Sequence, residues 1–334
     1  MCHRPLPLKR SPSRRKIGAW LGRLPHQADA KRRDLLGYVI GRLCTFSPED
    51  ALVILAEPRG GSTWLAQVIN TIPDTAVLWE PIAHARAFRR LSFASRQFIP
   101  RHADWPAAEN AFGRVFQGRT VNHCTCKLSS PMSFLYADKL LVKFCRANAL
   151  APWLTRVFNF RYTPVLLLRH PFAVAASQLR HPAWAAQPSQ YTIQSGRYRH
   201  HQEEHACFLS TLDTKAEMLV AIWCLSNLVP LRTPLDERNW MTVHYEDLLL
   251  GPAQEIDRIF DAWDLPVPDR ALHQTSIPSV TTQYRAFRKS GVDRQLTKWR
   301  RRFAESEIAA LKRVLDHFEI NVYSTALMPH KQVE

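Results

Sequence analysis

ALVILAEPRGGSTWLAQVIN, residues 51–70, reads as strand, turn and helix in one piece. Ala51 to Ala56 is a short apolar run suited to a strand buried on both faces, and Trp64, Leu65, Val68, Ile69 and Ile72 then recur at helical spacing. In the turn between them Gly60 and Gly61 allow the backbone to approach a ligand closely. Ser62 and Thr63 place hydroxyls and free N–H groups at the positive end of the helix dipole, where a phosphate or sulfate fits. The nucleotide triphosphate loop GxxxxGK[ST] is absent, because no Lys follows Gly61 and the glycines are wrongly spaced. The cation of this loop is Arg59, on the strand side.

A second segment, PVLLLRHPFAVAASQL at 164–179, again runs from a buried strand into a helix, with Pro171 suited to the first helical turn. Arg169 ends the strand, and Ser177 lies eight residues on, about two helical turns. An anion beside the strand end is within reach of both.

Together these two segments resemble the sulfotransferases that use 3′-phosphoadenosine 5′-phosphosulfate (PAPS). PRGGSTWL is similar to their 5′-phosphosulfate loop, with Gly60 where Ser is commoner. The second segment is similar to their 3′-phosphate site, with His170 in place of the usual Asp. The resemblance extends over most of residues 50–320, through Glu80-Pro81 at the end of VLWEPI, Lys143 and Arg146 in basic positions of the family, and the Tyr-Glu-Asp turn at 245–247. It implies an α/β fold, a central parallel sheet flanked by helices in the P-loop-like sulfotransferase arrangement. It also implies that Arg59, Gly60, Gly61, Ser62, Thr63 and Trp64 hold the 5′ end of PAPS and Arg169 and Ser177 the 3′-phosphate. FRKSGVDRQLTKW, residues 287–299, is loosely similar to the loop that closes over the nucleotide, so Arg288 and Lys289 are either 3′-phosphate ligands or a solvated basic run.

The implied reaction moves a sulfuryl group from PAPS to a hydroxyl or amine of a carbohydrate, lipid or small metabolite, and requires no metal. Arg59, which keeps its proton, is expected to clamp developing charge. Glu80 is the first choice for the base that takes the acceptor's proton, with His84 and His123 as rivals. Lys143 either binds the sulfonate and orders the site or extends to the surface. Two other readings stay open: a P-loop kinase, which would need magnesium, and a nucleic-acid-binding protein, which would use the net charge of +16.

That charge comes from 45 Lys and Arg against 29 Asp and Glu, so the partner is expected to be anionic. Much of it lies in the first 33 residues, and residues 1–45 read as a basic, partly flexible extension preceding one domain at 46–325. With 46% hydrophobic residues the chain can bury a large core, yet no apolar run approaches the roughly 18–20 residues of a membrane span. A cytoplasmic protein is expected, with peripheral membrane contact through an amphipathic 17–43 left open. The seven cysteines are expected as reduced thiols.

Apolar periodicity places strands at 51–56, 76–79, 123–128, 140–143, 164–169 and 241–245. Helices are expected at 62–72, 147–158, 171–180, 215–229, 252–263 and 304–317. Residues 80–122 read as a long polar and basic stretch, and 181–214 as a surface loop or lid. Within the latter, His201, Glu204 and His205 fit the spacing of an inverted zinc peptidase motif, but a solvated polar helix is the simpler reading.

Overall fold

The apolar run at 51–56 becomes the central strand because each of its six side chains has a buried place, alternately on opposite faces of a sheet. The computed structural model describes residues 29–185, 190–193, 196–281 and 291–330. Five strands, β1 (Ala51–Ala56), β2 (Thr75–Trp79), β3 (Lys139–Cys145), β4 (Val165–Leu168) and β5 (Met241–His244), pair in the order β2-β3-β1-β4-β5. Every pairing is parallel. The principal helices are α1 (Asp29–Leu43), α2 (Ser62–Ile69), α3 (Pro106–Phe116), α4 (Ala151–Val157), α5 (Pro171–Leu179), α6 (Lys215–Arg232), α7 (Tyr245–Leu250), α8 (Pro252–Ala262), α9 (Asp269–Thr275) and α10 (Glu305–His317).

A parallel sheet must be covered on both sides, and it is. Val53, Leu55, Leu78, Val142, Phe144 and Leu166 face one core, shared with Phe112 of α3, Leu154 of α4, Phe172 of α5, Val220 of α6 and Leu311 of α10. Leu52, Ile54, Val77, Leu141, Val165 and Leu167 face the other, shared with Leu65 of α2, Leu248 of α7, Ile256 of α8 and Ala271 of α9. Each such fully buried side chain contributes on the order of 1.5–3 kcal/mol. Leu36 and Ile40 of α1 are also buried in the first core, so the C-terminal part of that helix is packed on the domain.

The chain leaves β1 for β2, returns to insert β3 between them, and then crosses to the far side of β1 for β4. Connections from the two sides of β1 therefore diverge, opening a crevice beyond the carboxyl ends of the central strands.

Three expectations need correction. Residues 123–128 form no strand, because Asn122 Oδ1 accepts from the N–H groups of Cys124 and Thr125 at 2.8 and 3.1 Å and the Thr125 hydroxyl bonds back to Thr120 O. These local bonds turn the backbone, although Thr125 O still accepts from Trp79 N at 2.9 Å. The polar stretch 80–122 contains α3, whose Ala108, Ala111, Phe112, Val115 and Phe116 are buried at helical spacing. The described residues of the 181–214 segment include three single turns of helix, at Pro182–Ala185, His200–Glu203 and Ala206–Leu209, where one uninterrupted loop was expected.

Candidate active site

The turn after β1 brings three backbone devices together. Gly60 N donates to Glu57 O at 2.8 Å. Gly61 has φ +100°, and a Cβ there would lie 2.4 and 2.6 Å from Cδ2 and Cε2 of the Tyr245 ring, so only glycine fits. Gly61 is the cap residue of α2 and no side chain caps the helix, which leaves its first-turn N–H groups open to an anion. Trp64 anchors the helix by donating from Nε1 to Thr275 O at 3.1 Å.

Arginines converge on that helix end. Arg59 Nε donates to Ser177 Oγ at 3.2 Å, and Arg169 Nη1 donates to Arg59 O at 3.0 Å while its guanidinium lies 4.3 Å from the centre of the Tyr245 ring. Ser177 thus meets Arg59 directly, rather than Arg169 as its spacing suggested. Arg169 Nε is buried with no hydrogen-bond partner among the described residues. Burial, then the charges of Arg169 and Arg180, pull the Arg59 guanidinium below its ordinary pKa. Lys298 is lowered by burial and by the same two arginines. Cations crowded this way suit a polyanion, and the Glu246 carboxyl, on which the Arg169 charge also acts, is itself pushed up by burial. The uncapped helix end, the glycine cradle and the orphan Arg169 donor all fit the phosphosulfate and phosphate groups of PAPS.

His170, beside Arg169, serves the frame. Its N–H donates to Glu246 Oε1 at 2.9 Å, and its ring, stacked on Trp299, donates from Nε2 to the carbonyls of Ala326 and Ser324 at 2.9 and 3.1 Å. Nδ1 then accepts from Phe172 N at 3.2 Å. Burial drives the imidazole pKa down to about 4, so it is neutral at neutral pH.

On the other side of β1 the register pairs Trp79 of β2 with Lys143 of β3. Lys143 is 1% exposed; its Nζ donates to Glu80 Oε1 at 2.7 Å and to Cys145 Sγ at 3.3 Å, and lies 3.8 Å from the centre of the Trp79 ring. Lys143 therefore stays buried rather than reaching the surface. Burial alone would raise the Glu80 carboxyl, but Lys143 outweighs it and holds the pKa below the ordinary value. Burial pushes the Cys145 thiol up, so the sulfur is neutral and Glu80 is the counter-charge of Lys143. Arg59, Glu80 and Arg146, following β1, β2 and β3, all have left-handed backbones, with φ of 73°, 42° and 68°.

These groups line one cavity of about 410 Å³. Arg59, Gly61, Ser62, Thr63, Trp64, Glu80, Arg169 and Ser177 all border it. Gly60 shapes the turn without bordering the cavity. Arg288 and Lys289 lie outside the described residues. His84 is off the lining, its pKa lowered by burial and by Lys127. His123 is also off it, with Nδ1 2.7 Å from Asp34 Oδ1 of α1 and Nε2 3.1 Å from Cys124 Sγ. Arg180, Lys298, Lys127 and Tyr245 are among the other residues of the wall, and none had been singled out as a site residue. Arg180 was within reach, being one helical turn beyond Ser177. A larger cleft of about 680 Å³, lined by residues 70–75, Arg270, His273 and Gln274 among others, lies at the opposite end of β2, away from these strand ends.

The zinc-like spacing comes apart. His201 is buried with Nε2 2.9 Å from Leu225 O, whereas His205 Nδ1 lies 3.1 Å from His317 Nε2. Among the described residues no three His, Cys, Asp or Glu are grouped to hold a metal ion. Six of the seven cysteines are described, and no two of them are joined in a disulfide. No helix among the described residues is long and apolar enough to cross a membrane.

A parallel sheet that opens onto a basic, glycine-turned cleft is an architecture for moving anionic groups. The sulfotransferase family model matches residues 51–269, more than half of the chain, and the chain belongs to that family. Membership indicates a transferase. No curated protein matches it in sequence. Among solved structures it is similar to the sulfotransferase domain of the Synechococcus PCC 7002 olefin synthase, at 18% identity over 82% of this chain and 95% of that one, TM-score 0.45. It is also similar to the sulfotransferase domain from the curacin biosynthetic pathway, at 16% identity over 80% and 97%, TM-score 0.45. Mouse sulfotransferase SULT7A1 complexed with PAP is similar at 12% identity over 85% and 90%, TM-score 0.41. These likenesses are faint, and membership rests on the family model.

Proposed function

We propose that the protein transfers a sulfuryl group from PAPS to a hydroxyl or amine of a small-molecule or glycan acceptor, within the cavity at the ends of β1–β4. The observation that carries this reading is the uncapped end of α2 beside Arg59 and Arg169, the latter's buried Nε having no hydrogen-bond partner among the described residues. PAPS supplies an activated sulfuryl group. In the transfer the S–O bond to the 5′-phosphate breaks, an S–O bond to a hydroxyl acceptor or an S–N bond to an amine forms, and the acceptor loses a proton.

Arg59 meets the charge that grows on the leaving phosphate, with the α2 N–H groups. Arg169 and Ser177 hold the 3′-phosphate, and Arg288 and Lys289 are proposed to join them. Glu80 is the proposed proton acceptor, favoured over His84 and His123 because it borders the cavity and they do not. Its ion pair with Lys143 keeps it ionised and oriented while weakening it as a base, so proton capture accompanies S–O bond formation rather than preceding it.

Thermal shift separates this reading from a kinase. Adenosine 3′,5′-bisphosphate (PAP) is expected to stabilise the protein, by about 2.7 kcal/mol at a hundred times its dissociation constant, and ATP with magnesium is not. Stabilisation by ATP with magnesium alone would overturn it.

A further inference from the structure

The cavity holds more positive charge than its nucleotide requires. On the β1/β4 side stand Arg59, Arg169, Arg180 and Lys298, four cations. PAPS carries about four negative charges, close to two of them on the 3′-phosphate. On the β2/β3 side, Lys143 and Glu80 neutralise each other at 2.7 Å. Lys127 and Arg146 border the same cavity, and neither forms an ion pair among the described residues.

Both belong to the Glu80 end. Lys127 Nζ lies 5.3 Å from the centre of the Trp79 ring, whose other cation is Lys143. Arg146 directly follows β3, where its N–H donates to Ala56 O at 3.0 Å, fixing its backbone against the end of β1. The charges of both reach His84, whose pKa is depressed by burial first, then by Lys127 and less by Arg146. The two cations thus share one region, beside the carboxylate proposed to take the acceptor's proton.

We propose that Lys127 and Arg146 form an anion subsite for the acceptor, which already carries a carboxylate, sulfate or phosphate near the hydroxyl to be sulfated. This rests on the sulfuryl-transfer reading and adds the chemical class of the acceptor. An anionic acceptor must approach a second anion, the sulfuryl donor, and two cations outside any ion pair among the described residues offset that repulsion. The Arg146 charge also acts on Glu80, which Lys143 already neutralises, so a neutral acceptor would leave the cavity with an excess of positive charge.

The test is calorimetric titration of the protein, with and without saturating PAP, using matched probes: glucuronate and glucose 6-phosphate against glucose, and 4-hydroxybenzoate against 4-hydroxybenzyl alcohol. The anionic member of at least one set is expected to bind about tenfold or more tightly than its neutral partner, with the carboxylate and phosphate arms identifying the preferred anion. Lys127→Gln and Arg146→Gln are each expected to weaken that binding about ten- to a hundredfold and leave the PAP dissociation constant within about twofold. Lys127→Arg is expected to retain it. Equal affinity within every set, no binding of any anionic probe at about 10 mM, or an equal loss of PAP affinity in the Gln variants would overturn the subsite. Failure of PAP itself to bind counts instead against the transfer reading.

Discussion

Replacing Lys143 by Met tests the ion pair on which the acceptor side of the cavity is built. Lys143 is 1% exposed and Glu80 keeps 21% of its side-chain exposure, so the substitution strands a carboxylate that water only partly reaches. Removing one partner of a buried pair costs about 3–5 kcal/mol, and the residual exposure of Glu80 places this case near 3. The pH dependence follows from the direction of the Glu80 shift. With its folded pKa below the ordinary 4.5, Glu80 contributes stability that is present above pH 4.5 and lost as pH falls through the folded value. In Lys143→Met the largest opposing charge is gone and burial is countered only by the Cys145 hydrogen bond and the Arg146 charge, so that pKa rises and the variant is penalised at pH 7 and relieved on acidification. Urea melts at about pH 7 and pH 4.5 should therefore show a deficit near 3 kcal/mol that shrinks at the lower pH. Lys143→Met combined with Glu80→Gln removes both charges and should recover at least half of it. A deficit under about 1 kcal/mol, one independent of pH, or a double variant no more stable than the single would refute the reasoning.

Other expectations concern the cofactor side and the chemistry. Arg169→Ala should weaken PAP about ten- to a hundredfold and AMP far less, and calorimetry giving equal losses would remove Arg169 from the 3′-phosphate. Arg59→Ala should lower kcat strongly while PAP still binds; an unchanged kcat with a raised KM for PAPS would make Arg59 a binding residue only. Glu80→Gln should slow transfer about a hundredfold or more with PAP affinity kept, and near-normal activity would dismiss it as the base. Gly61→Ala should cost about 1–3 kcal/mol, because the methyl would push aside the Tyr245 ring that supports Arg169; unaltered melting and PAP binding would show that the ring yields freely.

The strands and the two strand-to-helix turns were legible because their apolar periodicity is local. Arg59, Gly61 and Arg169 could be nominated from the residues beside them. The Glu80–Lys143 pair could not, since it depends on β3 inserting beside β2 and on a register that sets Trp79 opposite Lys143. The same holds for Tyr245, read as scaffold in a Tyr-Glu-Asp turn, whose ring closes against Gly61 from a strand end almost two hundred residues away. Asn122 shows the reverse error: the apolar and polar alternation after it resembles a strand, while its side-chain amide binds the backbone into a turn. Helix α3 was hidden because its Glu, Asn and Arg interrupt the apolar stripe, two of whose members are only alanines.

Arg59, Glu80 and Arg146 hold backbone conformations that cost about 1–3 kcal/mol each in a residue other than glycine. Three of them amount to about 3–9 kcal/mol, comparable with the about 5–15 kcal/mol by which a whole domain is stable. At Glu80 the relief would be outweighed by leaving buried Lys143 without its counter-charge, but glycine at Arg59 or Arg146 would relax the chain and erase a charge in the cavity. A laboratory selection for heat resistance, run without an assay for transfer, would therefore be drawn to those two positions and would deliver sturdier proteins that have lost their chemistry.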